Sequence, residues 1–430
     1  MVNYIFYVFL LDMRSKLIMM IHPNIDKLVV LLTFIFGIHH GQSQDYNLDV
    51  SLSNYNITKI QKPGYLQPIK DPTFNTKIIR ITGDVGRSIP NINGEVWPDV
   101  FRHGYSTRQP WNADESILWL EIGRNSNDSP YVGGIFLDGE TYAPIKADNI
   151  IPPGSEHRWH PTDPDIILFL RNDGAYSWSY STGNVKQLIS INGYSNLSMG
   201  NTGNWTHDGN SIAVSATKKS NNSQVVFVLD VSNKIKYNDI NFNNSSIDHL
   251  SISPLGNYIL VRGNFGDGGD RVKVYDLFGN QVGPYWSGYG EPSHEDLAID
   301  QFGDEVAVGV SKSKPNKGKL IKRRLSDGKI TVLTSGGWPP HTSARSIQRP
   351  GWVFASTSAS TNYPPYFLEI IAVKLDGSRV ERICHTRNSF DEYLNQAQPC
   401  PSPSGNRVLF ATDWGANNVP IQTYIADFRN

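Results

Sequence analysis

The sequence has almost no net charge. Its 39 Lys and Arg side chains are offset by 40 Asp and Glu side chains, which leaves a formal net charge of −1. A chain without an overall field has no long-range attraction for nucleic acid or for anionic lipid. We therefore expect neither nucleic acid nor a membrane surface as a partner.

Several catalytic signatures are also absent. The sequence contains no nucleophile elbow, no P-loop, no zinc-protease helix and no CxxC pair. Residues 263–270 superficially resemble a calcium loop, but their carboxylates do not keep the EF-hand spacing, and we interpret the segment as a hairpin. Any chemistry must therefore come from residues that are distant in sequence.

Cysteine is scarce, since Cys384 and Cys400 are the two cysteines of the chain. In an exported protein the two thiols can pair, and closing a loop of about 15 residues would contribute roughly 3 kcal/mol. The alternative is two buried free thiols.

Long apolar runs are missing except at the N-terminus. Residues 28–38 form an apolar run of 11, which is too short to span a bilayer comfortably. Lys27 precedes the run, and the small residues Gly41 and Ser43 follow it, as in a secretory signal. We predict a cleaved signal peptide over residues 1–44 and export to the periplasm or the medium, with a membrane anchor as the alternative.

The chain contains a recurring motif of a short strand, a polar turn and a second strand. Residues 201–216 form its clearest copy, with Asp208 and Gly209 in the turn. An apolar or proline residue precedes each turn at intervals of 46 to 54 residues: Trp111, Trp159, Trp205, Ile252, Ile299, Ile347 and Pro401. A strand-like repeat with a period in the forties is typical of a β-propeller, whose blades are four-stranded sheets. We predict an all-β, seven-bladed β-propeller over residues 76–430, preceded by a linker over residues 45–75.

The last repeat is incomplete. Residues 421–427 supply its third strand, and the chain then ends at Asn430. Residues 76–82 are strand-like but precede the first repeat. We predict that this N-terminal strand completes the last blade, because the pairing would remove an exposed sheet edge. We expect a monomer.

Candidate functional residues lie just before the repeated turns. In a propeller the innermost strands line a central channel, and the loops that lead into them form one mouth. Six of the 11 histidines lie in these leading segments. The candidate catalytic residues are His103, Tyr105, His157, His294 and His341, and the candidate substrate-binding residues are Arg108, Arg158, Asn204, His249 and Arg345. The alternative for each is a hydrogen bond within the channel wall. The histidines would also suit a divalent metal ion, although the sequence names none.

The candidate channel lining contains more His and Arg than Asp and Glu, although the whole chain is nearly neutral. This local excess favours an anionic ligand. Arg binds carboxylates through a bidentate fork, and His or Tyr exchanges protons near neutral pH. These groups suit β-elimination on a uronic acid, in which a cation neutralises the carboxylate, a base removes the α-proton, and Tyr105 or a His protonates the leaving oxygen. The paired carboxylates of glycoside hydrolases are less evident, and Glu156, Glu295 and Asp296 are the candidates.

The segment 103–111, HGYSTRQPW, resembles the segments that lead into a blade in secreted bacterial seven-bladed propellers acting on acidic polysaccharides. These include ulvan lyases and oligogalacturonate lyases. Residues 341–353 and 396–415 resemble segments of uncharacterised secreted propellers, and the resemblance covers residues 76–430. It implies an exported lyase or dehydratase acting on an anionic glycan such as ulvan. TolB-like propellers share the turn motif without catalysis, so a non-catalytic propeller that binds a glycan or a protein is the alternative.

Overall fold

The computed structural model describes residues 46–124, 133–242, 246–265, 270–286, 291–389, 393–417 and 420–429. The signal peptide predicted over residues 1–44 lies outside these ranges, as does the tip of the predicted hairpin at 266–269. Within the ranges, the regular elements are strands, apart from the 3₁₀ turns Asp148–Ile150 and Tyr393–Asn395. They contain no helix long and apolar enough to cross a membrane.

The strands form seven antiparallel blades arranged as a β-propeller, as predicted. From the inside outwards, the strands of blade 1 are Val100–Arg102, Ile117–Leu120 with Ile122–Arg124, Ile135–Asp138 and Pro144–Ala147, and those of blade 2 are Ser155–Trp159, Ile166–Arg171, Gly174–Ser179 and Val185–Ser190. The strands of blade 3 are Tyr194–Ser198, Ser211–Lys218, Gln224–Asp230 and Ile235–Lys236 with Ile240–Asn241. Those of blade 4 are Ser246–Ile252, Tyr258–Asn264 and Asp270–Asp276. The strands of blade 5 are Ser293–Ile299, Glu305–Val310, Leu320–Arg324 and Ile330–Val332. Those of blade 6 are His341–Ser343, Trp352–Ser356, Glu369–Lys374 and Val380–His385. Those of blade 7 are Cys400–Pro401, Arg407–Thr412, Gln422–Asp427, Lys77–Arg80 and Pro68–Lys70.

The repeated turn shows why the sequence forms these hairpins. In blade 3, the Asp208 carboxylate accepts hydrogen bonds from the Thr206 hydroxyl at 2.6 Å and the Asn210 amide at 3.0 Å. Gly209 has a φ of 73°, a left-handed conformation that glycine adopts without strain. The following strand then buries Ile212 and Val214 against the neighbouring blade. The turn residues and the alternation of apolar and polar residues in the following strand therefore specify the same hairpin.

The N-terminal strand Lys77–Arg80 pairs antiparallel with Gln422–Asp427 of blade 7. Ile78 is opposite Ala426 and is fully buried. The Lys77 ammonium lies 2.7 Å from the Asp427 carboxylate. The pairing of the two chain ends thus has the predicted partners, and Pro68–Lys70 adds a further outer strand that the sequence did not indicate.

The segment predicted as a linker over residues 45–75 instead packs against blades 6 and 7. The Tyr46 ring contacts the Phe428 ring edge-on at 4.9 Å. The Asp49 carbonyl accepts a hydrogen bond from the Arg382 amide at 2.8 Å, and the Ser53 carbonyl accepts one from the Arg382 guanidinium at 2.6 Å. The polar composition misled the prediction, because the polar backbone of this segment satisfies a buried cation.

The two cysteines do not pair. Cys384 lies on the outer strand of blade 6, whereas Cys400 lies on the inner strand of blade 7, and both are buried free thiols. The structure therefore has the alternative of two buried free thiols, because the two positions are on opposite edges of neighbouring sheets.

The buried ion pair between Arg382 and Glu369 gives a test of this packing. Both side chains are fully buried, with Nε donating to Oε2 at 2.8 Å. We expect Glu369→Gln to lower the free energy of unfolding by about 3–5 kcal/mol, because it leaves the guanidinium without a countercharge. Denaturant unfolding measures this loss.

The matched control is Lys374→Gln, which removes a half-exposed pair with Asp376 at 3.4 Å. It should cost less than about 1 kcal/mol. Equal losses of unfolding free energy in the two variants would contradict a stabilising role for the buried Arg382–Glu369 pair.

Candidate active site

A cleft of about 560 Å³ opens at the predicted mouth of the channel. We call it the mouth cleft. Its lining includes Arg102, Tyr105, Arg108, Ile122, Asn201, Thr202, Asp248, His249, Arg262, His294, Glu295, Lys312, Tyr393 and Gln398. Among these described residues, four are cationic and two are acidic. The cleft is therefore basic in a chain whose overall charge is close to zero.

The centre of the site is formed by Tyr105, His294 and His341, which we call the tyrosine–histidine cluster. A hydrogen bond of 3.3 Å joins the Tyr105 hydroxyl to His294 Nδ1. The His341 ring lies edge-on to both, at 5.4 Å from the Tyr105 ring and 5.7 Å from the His294 ring. The structure thus brings together three of the five predicted catalytic residues.

Local strand geometry turns His294 towards the cleft. It lies near the start of the inner strand of blade 5, where the pairing with Glu305–Val310 shifts register between Ser293 and Asp296. Its φ of 52° is unusual for a residue with a side chain. A bulge of this kind re-aims one side chain relative to the sheet.

Desolvation by the surrounding protein disfavours the charged forms of the cluster, although part of the His294 side chain is exposed at the cleft surface. Enclosure by the cleft walls lowers the pKa of His294 below its ordinary value, and the Lys312 charge lowers it further. Burial lowers the pKa of His341 to about 3, although its Nε2 bonds Gln396 Oε1 at 2.7 Å. Burial raises the pKa of Tyr105 well above 10, with a further contribution from Tyr393. The cluster therefore combines a neutral imidazole that can accept a proton with a phenol that retains one.

The other two predicted catalytic histidines lie elsewhere. His103 is fully buried in the channel wall, where its Nε2 donates to the Gln398 carbonyl at 2.6 Å and burial lowers its pKa to about 3. His157 donates to the Pro152 carbonyl at 3.1 Å and stacks on the Phe169 ring at 4.9 Å. Burial lowers the pKa of His157 to about 4. Both histidines are held by local contacts outside the tyrosine–histidine cluster.

The predicted substrate-binding arginines have protein partners. Arg108 lines the mouth cleft, but its guanidinium donates to Glu121 at 2.8 Å and to the Asn201 carbonyl. Arg345 is buried and forms a bidentate pair with Asp296, with both distances 2.9 Å. Arg158 is buried and donates to backbone carbonyls, including that of Asn201 at 2.8 Å. Only Arg108 reaches the cleft.

Of the two remaining predicted substrate-binding residues, Asn204 lies outside the mouth cleft and His249 lines it. Asn204 is buried in the channel wall and donates to the Thr107 carbonyl at 2.9 Å. Together with Arg158 and Arg345, it lines a separate small cavity among the repeat tryptophans. His249, in contrast, lines the mouth cleft, and its Nδ1 bonds the Thr202 hydroxyl.

Sequence reasoning missed Arg102. This residue ends the inner strand of blade 1, is 1 % exposed and lines the mouth cleft. Its guanidinium donates to the carbonyls of Leu394 and Gln396, whereas its Nη2 has no hydrogen-bond partner in the described part of the chain. Burial lowers its pKa to about 10. The available signal was an arginine in the short apolar strand immediately before His103.

Among the described residues, Arg102 also has no acidic partner. The ionisable side chains that shift its pKa are Tyr393 and Arg124, neither of which is a carboxylate, and no ion pair joins Arg102 to an acid in the described ranges. Two nitrogens of other residues in the cleft lining, Gln398 Nε2 and His249 Nε2, are likewise buried without a described partner. Buried polar and charged groups without partners are costly in free energy.

No complete set of metal ligands is found among the described residues. No group of three or more His, Cys, Asp or Glu side chains within the described ranges is placed to hold a metal ion. The Nε2 atoms of His341 and His103 bond the Gln396 amide and the Gln398 carbonyl, and His294 Nδ1 bonds Tyr105, whereas the Nδ1 atoms of His341 and His103 are buried without a partner among the described residues. A divalent metal held by channel histidines therefore stays a prediction.

Solved structures with a similar fold include two lyases. No protein-family model and no curated protein matches the sequence. An oligogalacturonate lyase in complex with manganese is 13% identical, with a TM-score of 0.58 over 86% of this chain and 97% of that chain. The oligogalacturonate lyase of Vibrio parahaemolyticus is also 13% identical, with a TM-score of 0.56 over 84% and 96%. The chain shares its fold with oligogalacturonate lyases. TolB from Acinetobacter baumannii, at 16% identity, matches 58% of each chain with a TM-score of 0.33.

The pKa of His294 can be measured directly. We expect its imidazole to become half-protonated below pH 6.5, its ordinary pKa, because the cleft disfavours the charged form. Imidazole NMR across a pH series measures this value. Lys312→Gln should raise the pKa, because it removes a repulsive charge. A wild-type pKa at or above 6.5 would contradict this account.

Proposed function

We propose that this chain is a carbohydrate-active lyase that cleaves a uronic-acid-containing glycan by β-elimination in the mouth cleft. One observation carries the proposal: Arg102, a buried cation without a carboxylate partner among the described residues, lines the same cleft as the Tyr105–His294 pair. The two lyases of similar fold are named for oligogalacturonate, a chain of uronic acids, which supports the substrate class.

Arg102 is the group that would bind the substrate carboxylate. Its Nη2, together with Gln398 Nε2 and His249 Nε2, offers nitrogens that lack acceptors among the described residues. A carboxylate would supply both the acceptor and the missing countercharge. Neutralising the carboxylate acidifies the proton on the adjacent carbon, C5 of the uronate, which is the proton that elimination removes.

The tyrosine–histidine cluster would exchange the protons. Neutral His294 accepts the C5 proton, and the electron pair of that bond forms the C4–C5 double bond. The C4–O bond breaks, and the leaving oxygen takes the hydroxyl proton of Tyr105. The hydrogen bond between the two side chains provides a route from the imidazolium back to the phenolate, so that both groups return to their neutral forms.

Export belongs to the same proposal. Glycans of this kind are too large to enter a cell intact, and the predicted signal over residues 1–44 would bring the enzyme to them. A non-catalytic glycan-binding propeller is the competing function. It would retain the glycan without forming a product.

Elimination has a direct optical test. We expect ultraviolet absorbance from the unsaturated product when the protein acts on ulvan, polygalacturonate or alginate. His294→Ala and Tyr105→Phe should each lower the rate by about 10²–10⁴-fold, because each removes a proton-transfer group. Absence of product from every glycan, with a folded protein, would contradict the proposal.

The carboxylate anchor has a separate test. We expect Arg102→Gln to lower kcat/KM by about 10²–10³-fold, because the substrate carboxylate loses its cation. Arg87→Gln is the matched control, since Arg87 is exposed and does not line the cleft. Thermal melting checks that both variants are folded. Full activity in a folded Arg102→Gln variant would remove Arg102 from the site.

A further inference from the structure

The connection between the second and third strands of blade 5 is rich in lysine. We call residues 311–319 the lysine loop, which contains Lys312, Lys314, Lys317 and Lys319. Lys312 lines the mouth cleft, and Lys314 and Lys317 are exposed. Neither of these two exposed lysines forms an ion pair within the described part of the chain. The loop therefore continues the positive charge of the cleft outwards over blade 5.

Hydrogen bonds hold the lysine loop in one conformation at the rim. The Ser311 amide donates to the Lys319 carbonyl at 2.9 Å, and the Gly318 amide donates to the Ser311 carbonyl at 2.8 Å. The Ser311 hydroxyl also donates to the Glu291 carboxylate at 2.8 Å. The base of the loop is thus fixed to its blade, so the lysines occupy a defined part of the rim.

Two partly exposed aromatic rings lie against this loop. The Trp338 and Tyr363 rings, which we call the aromatic pair, are 4.9 Å apart. The Trp338 amide donates to the Gly318 carbonyl at 2.8 Å. Gly318 has a φ of 82°, and a Cβ there would lie 2.1 Å from the Tyr363 ring. Glycine therefore allows the close contact between loop and rings. Flat amphipathic rings beside cations suit the apolar faces and acidic groups of a uronate chain.

The opposite side of the cleft has the reverse charge. A cavity of about 490 Å³ between blades 1 and 2 shares Arg108 and Asn201 with the mouth cleft. Its lining includes Glu121, Asp148 and Glu156. A polyanion would be repelled there and attracted over blade 5, so the two sides distinguish the directions in which a chain can leave the cleft.

We infer that the lysine loop and the aromatic pair form a second binding surface for the part of an anionic polysaccharide that extends beyond the reacting sugar. This inference rests on the proposed function and adds to it that the preferred substrate is a long chain. Isolated surface lysines are usually only solvated. Here four lie within residues 311–319, beside both the cleft and a ring pair.

The test compares long and short ligands. The probes are polygalacturonate, alginate and ulvan, each with its own trisaccharide, and binding is measured by affinity electrophoresis and calorimetry. We expect the double variant Lys314→Gln, Lys317→Gln to weaken polymer binding by about tenfold at low salt, and less at high salt, because exposed charge pairs are screened. Trisaccharide binding should stay unchanged. Trp338→Ala should weaken polymer binding at both salt concentrations.

The matched control is Lys59→Gln, Lys186→Gln, which removes two exposed lysines away from the cleft lining. It should leave both affinities unchanged. Polymer binding that equals that of the wild type in the lysine-loop variant, or absence of wild-type binding to all three polymers, would overturn the inference. So would equal weakening for polymer and trisaccharide.

The experiment separates this inference from the proposed function. If polymer binding depends on Lys314 and Lys317 but no product forms, the second binding surface is supported and the lyase activity is contradicted. Product formed equally well from polymer and trisaccharide, in wild type and lysine-loop variant alike, would leave the lyase standing and remove the surface.

Discussion

Covering both faces of every sheet is the constraint on which the structure depends. A four-stranded blade cannot bury two apolar faces by itself, so each packs against two neighbours. Leu168 and Ile212 of blades 2 and 3 share one buried cluster, and Val308 and Val353 of blades 5 and 6 share another. This packing brings residues at one end of the inner strands together. Tyr105 and His294 are hydrogen-bonded there, although they are 189 residues apart in sequence.

The same burial acts in opposite directions on the two kinds of titratable group in the site. Removing solvent disfavours the imidazolium of His294 and also the phenolate of Tyr105, so both groups are neutral over one broad pH range. Arg102 is different because an arginine cannot give up its charge near neutral pH. Among the described residues, the pocket thus combines neutral proton carriers with Arg102, a buried cation that has no acidic partner.

The sequence predicted those properties that repeat. The period and turn chemistry specified the blades. Similar spacings from the turns, five residues for His294 and six for His341, indicated corresponding positions on adjacent blades. It could not show which way a side chain points. His103 faces the wall, where it bonds the Gln398 carbonyl, whereas Arg102, one residue earlier, reaches the cleft. Residues 46–75 look like a linker in sequence because part of their packing uses backbone carbonyls, such as those of Asp49 and Ser53, which no sequence pattern marks.

The pairing of Lys77–Arg80 with Gln422–Asp427 affects the order in which the chain can fold. The first of these strands leaves the ribosome early, yet Gln422, which bonds Arg80, follows it by 342 residues. At about 5–20 residues per second, synthesis of that stretch takes on the order of 20–70 s. Throughout this delay Ile78 lacks its blade 7 partner Ala426, although Pro68–Lys70 can already pair with the other edge of its strand. The nascent chain therefore carries an unsatisfied β-edge near its front, and a chaperone that shields such edges would act on this protein before its last blade exists.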